Sequence, residues 1–81
     1  MKKILYFTAN WCGPCKMMAP TIAELISEGC YITKIDVDSN PGLVAQYDVK
    51  SIPTFILAEN DNEILRKVGP QSKESLKQLF N

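Results

Sequence analysis

The spacing of apolar residues along the chain shifts from continuous to helical to alternating. Ile4 to Thr8 is an unbroken run rich in β-formers, closed by Ala9-Asn10, and predicts a strand buried on both faces. From Gly13 to Glu28, the residues Cys15, Met18, Ala19, Ile22, Leu25 and Ile26 recur at spacings of three and four. That period predicts one helix with a single apolar stripe. Met17, Thr21, Glu24 and Glu28 fall on its wetter face, and Gly29 is a stop signal. Pro20 removes one hydrogen bond inside this helix and predicts a kink near Lys16.

Tyr31 to Val37 then alternates, with Tyr31, Thr33, Ile35 and Val37 on one side and Ile32, Lys34 and Asp36 on the other. This is a strand with one polar-leaning face. Asn40-Pro41 opens a short helix, with Asn40 as cap and Leu43, Val44 and Tyr47 as apolar anchors. Pro53 to Ala58 and Glu63 to Val68 are two more strands. Glu59-Asn60-Asp61-Asn62 joins them as a hairpin. After Gly69-Pro70, Ser72 caps a last helix anchored by Leu76, Leu79 and Phe80. The order β-α-β-α-β-β-α predicts an α/β domain over residues 1–81. Its mixed four-stranded sheet carries helices on both faces, and the first crossover is right-handed.

Composition narrows the function. The chain has 81 residues, 46% hydrophobic and 22% charged, with nine basic and nine acidic side chains. Zero net charge argues against nucleic acid or a membrane surface as the partner. No apolar run approaches the roughly 18 residues of a spanning helix. The apolar stretch after Met1-Lys2-Lys3 is too short for a secretion signal. There is no histidine, so the commonest general base and metal ligand are missing. Three cysteines, two of them three residues apart, do not make a disulfide framework. They fit a reducing, cytoplasmic setting and a local site.

That site is Trp11-Cys12-Gly13-Pro14-Cys15, between the first strand and the first helix. Cysteines at i and i+3 on a first helical turn are near neighbours and can close and reopen a small disulfide ring. Cys15 shares the apolar stripe and should face the core. Cys12, at the helix mouth, should be reachable. The helix N-terminus stabilises a thiolate by up to about 2 kcal/mol, which draws a thiol of ordinary pKa, about 8.5, toward neutrality. Pro14 pre-sets the first turn and has no amide to leave unpaired. Two other readings of the pair stay open here, an inert structural disulfide and half of a zinc site. The second would need a fourth ligand that three cysteines do not supply. Cys30 reads as a small hydrophobe, Met17 and Met18 as packing, and Asp36, Asp38 and Asp48 as solvated or capping charges.

The stretch Trp11-Cys12-Gly13-Pro14-Cys15-Lys16, followed by Ala19-Pro20, resembles the thioredoxin family. So do Asp38-Ser39-Asn40-Pro41-Gly42, Ser51-Ile52-Pro53-Thr54 and Lys67-Val68-Gly69, in order along almost the whole chain. The resemblance implies a thioredoxin-like fold and a monomeric thiol–disulfide oxidoreductase that reduces protein disulfides. Cys12 would be the nucleophile and Cys15 the resolving thiol. No cofactor would be bound; electrons would come from NADPH by way of a thioredoxin reductase. The Ile52-Pro53 bond would be cis. Trp11, Gly13, Pro14, Ile52, Pro53 and Gly69 would form a flat docking surface for an extended target segment.

Three departures from the family accompany the match. The chain starts at what would be the family's second strand, which makes Tyr31–Val37 an exposed edge guarded by Lys34 and Asp36. Tyr6 stands where the family has a buried acid, so the proton acceptor for Cys15 is open; Lys34 matches the family's nearby lysine but is no base at its ordinary pKa of about 10.4. Ser51 replaces a frequent glycine. A glutathione-fed, glutaredoxin-like reductase and a non-catalytic docking subunit are the alternatives. The first is disfavoured by Cys-Gly-Pro-Cys and by Gly69-Pro70, where that family has Cys-Pro-Tyr-Cys and a Gly-Gly pair.

Overall fold

The apolar run near the start forms β1 (Lys2–Thr8), which begins two residues ahead of the run itself. Ile4, Leu5, Tyr6 and Phe7 are all buried, as a strand covered on both faces requires. The other strands are β2 (Ile32–Asp36), β3 (Thr54–Glu59) and β4 (Asn62–Val68). In this computed structural model, which describes residues 1–81, they form one sheet ordered β2-β1-β3-β4. β1 pairs parallel with β2, with Tyr6 opposite Lys34 and Thr8 opposite Asp36. It pairs antiparallel with β3, and β3 pairs antiparallel with β4. The mixed four-stranded sheet and the element order agree with the pattern of the chain. β2 is an edge strand, with Lys34 exposed and Asp36 half-buried on it.

Each face of the sheet has its own core. On one, Ile4, Tyr6, Phe55 and Leu57 pack against Met18, Ile22 and Leu25 of α1 (Gly13–Ser27), and against Leu76 and Leu79 from α3 (Lys73–Gln78) and its C-cap. On the other, Leu5, Phe7, Ile35 and Ile56 meet Tyr47, at the C-cap of α2 (Pro41–Gln46). Burying one such large side chain is worth about 1.5–3 kcal/mol, so these few anchors place the helices. β2 serves both cores, Ile32 the first and Ile35 the second.

The apolar stripe of α1 is narrower than its spacing suggests. Cys15, Met18, Ile22 and Leu25 are buried, but Ala19 is exposed and Ile26 is 45% exposed. Each of these two lies one residue, about 100° of turn, past a buried neighbour and so falls on the flank. Met17 does not pack at all, at 81% exposed. α1 continues from Gly13 to Ser27 with Pro20 inside it, four residues after Lys16. Both residues are exposed, so the carbonyl that loses its partner can be hydrated. Gly29, at φ +95°, ends the segment.

Two smaller devices fix the remaining elements. Asn60 and Asp61 sit at φ 52° and 68° between the paired residues Glu59 and Asn62. Positive φ at both central positions is what a two-residue type I′ hairpin needs. Arg66 donates to both carboxylate oxygens of Glu63, at 2.6 and 2.5 Å, and to the Tyr47 carbonyl at 2.6 Å. The Tyr47 hydroxyl donates to the Asp61 carbonyl at 2.7 Å. Together these tie the end of α2 to the β3–β4 hairpin. The guanidinium holds the Glu63 carboxyl below the usual carboxylate range, and burial pushes the Tyr47 phenol up. Asn40 occupies the N-cap of α2, yet its side chain makes no capping bond. Its amide is turned back to donate to the Asp36 carbonyl at 2.9 Å. Ser72 caps α3 as the sequence suggests, accepting from the Ser75 amide at 3.1 Å.

Candidate functional site

Where β1 ends, the chain turns through Ala9-Asn10-Trp11 into the first turn of α1, and both cysteines of the pair lie there. Cys12 is the N-cap residue, with extended backbone at φ −85° and ψ 110°. Its Sγ accepts from the Cys15 amide at 3.1 Å. Pro14 sits in the first turn, and no acidic side chain there offsets the positive end of the helix. An amide aimed at the sulfur and an uncompensated helix terminus both favour the thiolate once the pair is reduced. In the structure the pair is closed: Cys12 and Cys15 form a disulfide, with Cα atoms 5.2 Å apart. Cys30 stays free and half-buried, and packs at the margin of the α1 core.

Cys15 faces inward, at 3% exposed. Cys12 does not stand clear of the surface; it is only 5% exposed. The reason is local packing, since Ala9, Val37 and Ile52 close around the two sulfur-bearing residues. The exposed rim is made by Trp11, at 67% exposed, together with Gly13 and Pro14. Trp11 is held in place by its indole N–H, which donates to Asp38 Oδ2 at 2.8 Å.

The Ser51–Pro53 loop lies against this rim. The Ile52-Pro53 peptide is cis, and Ile52 packs on the cysteine cluster. The Pro53 side chain is fully buried, so its part is to shape the loop rather than to present a ring. Pro53 accepts from the Gly69 amide at 2.8 Å. That contact brings the end of β4 to the loop, with Gly69 at φ +90°. The N–H and C=O of Ile52 have no partner within the chain. Beside them runs a cleft of about 350 Å³ lined by Trp11, Val37, Val44, Val49 and Ile52. Five of the six docking residues read from the sequence thus border the disulfide or the loop, and the sixth, Gly69, is hydrogen-bonded to it.

Behind the disulfide lies a second cleft, of about 280 Å³, reaching Cys15. Tyr6, Lys34 and Asp36 all line it. Tyr6 is buried and its hydroxyl donates to the Cys15 carbonyl at 3.1 Å. Sequence reasoning placed Asp36 and Asp38 among solvated or capping charges. The structure gives Asp38 to Trp11 and puts Asp36 at the cleft. Cysteine spacing carries no clue to the place of Asp36.

This geometry is a Cys12–Cys15 pair at a helix terminus, beside an apolar cleft and a backbone edge without partners. Known proteins resemble the chain that carries it. The sequence matches the Thioredoxin family profile over residues 1–81. It is 44% identical to thioredoxin from Chlamydia trachomatis serovar D, across 96% of this chain and 78% of that protein. It is 44% identical to thioredoxin from Staphylococcus aureus strain N315, across 98% of this chain and 79% of that one. Thioredoxin-2 of the malaria parasite superposes with a TM-score of 0.89 at 35% identity, covering 99% of this chain and 81% of that structure. A thioredoxin variant from Halobacterium salinarum NRC-1 gives 0.86 at 36% identity, covering 96% and 70%. The chain belongs to the thioredoxin family and is a thiol–disulfide oxidoreductase of the thioredoxin type.

Proposed function

We propose that the protein reduces disulfides of target proteins, with Cys12 as nucleophile and Cys15 as resolving thiol. The observation that carries this is the Cys15 amide aimed at Cys12 Sγ across a closed Cys12–Cys15 disulfide. In the reduced protein the Cys12 thiolate attacks a target disulfide. A mixed disulfide forms and one target sulfur leaves as a thiolate. Cys15 then gives up its proton and attacks Cys12 Sγ. The intramolecular disulfide closes and the second target sulfur is released. Two electrons have passed to the target, and the protein is left in the oxidised form.

The target binds as an extended segment over Trp11, Gly13 and Pro14. It pairs with the free backbone groups of Ile52 and places an apolar side chain in the neighbouring cleft. Pro53 and Gly69 position the loop; Lys34 and Tyr6 set the polar surroundings of Cys15. The protein works as a one-domain monomer in the cytoplasm. It is recharged from NADPH through a thioredoxin reductase, and so takes part in electron transport and redox homeostasis. No helix is long and apolar enough to cross a membrane.

Cysteine variants assayed with defined donors test the reading. Cys12→Ser should abolish reduction of insulin disulfides. Cys15→Ser should accumulate covalent mixed disulfides with the target. Full activity in either variant overturns the role assignment. Turnover with NADPH and a thioredoxin reductase, but not with glutathione, is expected; the reverse pattern overturns the donor.

A further inference from the structure

Cys15 cannot act as a resolving thiol until it loses its proton, and it is 3% exposed. Burial in apolar surroundings makes a thiol harder to ionise. Its amide donates to Cys12, not to its own sulfur, so the bond that favours the Cys12 thiolate does nothing for Cys15. Cys15 lines the cleft behind the disulfide, and the titratable groups that line it with Cys15 are Tyr6, Lys16, Lys34 and Asp36.

These four are not equivalent. The Tyr6 proton is committed to the Cys15 carbonyl. Lys16, on α1, and Lys34, on β2, carry ammonium groups, which donate hydrogen bonds and accept none. Asp36 is the one anion. It lies two residues from Lys34 on the same face of β2, paired across from Thr8 as Lys34 is from Tyr6. One of its carboxylate oxygens accepts from the Asp38 amide at 2.9 Å; the other makes no hydrogen bond within the protein. Asp38 itself is turned to Trp11.

We propose that Asp36 is the proton acceptor for Cys15. This rests on the oxidoreductase reading above. In the resolving step the Cys15 S–H bond breaks and its proton passes to the free Asp36 oxygen by way of the cleft. The Cys15–Cys12 S–S bond forms as the Cys12–target S–S bond breaks. The departing target thiolate is then protonated from solvent, to which Asp36 returns its proton.

A two-step thiol assay with a small aromatic disulfide, 5,5′-dithiobis(2-nitrobenzoate), separates attack from resolution. In a Cys30→Ala background, reduced protein should release one chromophore as Cys12 attacks and a second as Cys15 resolves. Asp36→Asn can still accept the Asp38 amide, so the turn is kept. It should leave the first phase intact and slow the second at pH 7 by roughly tenfold to a hundredfold. The wild-type second phase should level off above an acidic limb set by the carboxylate. In Asp36→Asn it should instead rise about tenfold per pH unit through neutrality, as the thiol ionises unaided. Should Asn disturb the turn, Asp36→Ser gives the same readout. Unchanged second-phase rate and pH profile in these variants overturns the proposal. So does loss of the acidic limb in Lys34→Gln with Asp36 intact. Absence of the first phase in the Cys30→Ala parent would instead overturn the oxidoreductase reading itself.

Discussion

The Tyr6 hydroxyl donates a 3.1 Å hydrogen bond to the Cys15 carbonyl, from the middle of β1 to the first turn of α1. The Tyr6 ring stacks on Phe55 with centroids 4.9 Å apart and planes 6° from parallel. A residue held on both its ring and its hydroxyl docks the helix that carries the cysteines. Tyr6→Phe keeps the stack and loses the bond. It should lower unfolding free energy by about 0.5–1.5 kcal/mol in urea titration. The pH dependence of disulfide reduction should keep its shape, because Tyr6 positions the helix and does not take the proton.

Asp38 fixes Trp11 from the loop after β2. The indole is 67% exposed yet anchored by a single 2.8 Å bond, so its orientation depends on one carboxylate. Asp38→Ala frees the ring. The loss of one such bond, about 0.5–1.5 kcal/mol, should raise KM for a protein disulfide by roughly threefold to tenfold. kcat should hold, and so should the rate with a small aromatic disulfide that needs no docking surface. An unchanged KM for the protein target would remove Trp11 from the docking face.

Much of this site is legible in the sequence, because its parts are local. The dithiol, its helix terminus and Pro14 lie within four residues. Periodicity around them marks Cys15 as inward-facing, as its 3% exposure bears out. What cannot be read is set by contacts between distant segments. Cys12 is closed in by Val37 and Ile52, which come from after β2 and before β3. Asp36 lines the cleft that reaches Cys15 only because β2 pairs parallel to β1. Alternation gives Asp36 its face but not its neighbour. The exposed Ile26 and Ala19 make the same point about packing. A period of 3.6 admits them to the stripe, whereas the width of the sheet beneath decides whether anything covers them.

Two glycines with open space around them should respond in opposite directions. No heavy atom lies within 4 Å of a Cβ built on Gly69 or Gly42. Gly69 sits at φ +90°, where an L residue is strained by about 1–2 kcal/mol. Gly42 lies inside α2, where glycine costs about 0.5–1 kcal/mol relative to alanine. Gly69→Ala should therefore destabilise by about 1–2 kcal/mol and also weaken target binding, since its amide holds the Pro53 carbonyl. Gly42→Ala should stabilise by about 0.5–1 kcal/mol with activity unchanged. Chemical denaturation of the two variants beside wild type checks both signs.

Acid sensitivity should trace to two carboxylates far from the disulfide. Hydrogen bonds from Lys73 and Lys77 hold the Glu28 carboxyl below the usual range, and the Arg66 guanidinium does the same for Glu63. Each binds a proton less readily folded than unfolded. Its contribution is therefore complete above the ordinary carboxylate pKa of about 4.3 and is lost as pH falls through the lower folded value. Glu28→Gln and Glu63→Gln should each flatten the fall in stability between about pH 4.5 and pH 2, while differing from wild type by a constant amount at pH 7. Salt separates the two. The Glu28 cluster bridges α1 and α3 at the solvent surface, and its part should shrink in roughly 0.5 M salt, where the Debye length is only a few Å. Glu63 and Arg66 are joined by two parallel hydrogen bonds in a bidentate fork, so their part should persist more than that of the Glu28 cluster. Equal salt sensitivity in the two variants would show that the Arg66 clamp is no better shielded than a surface pair.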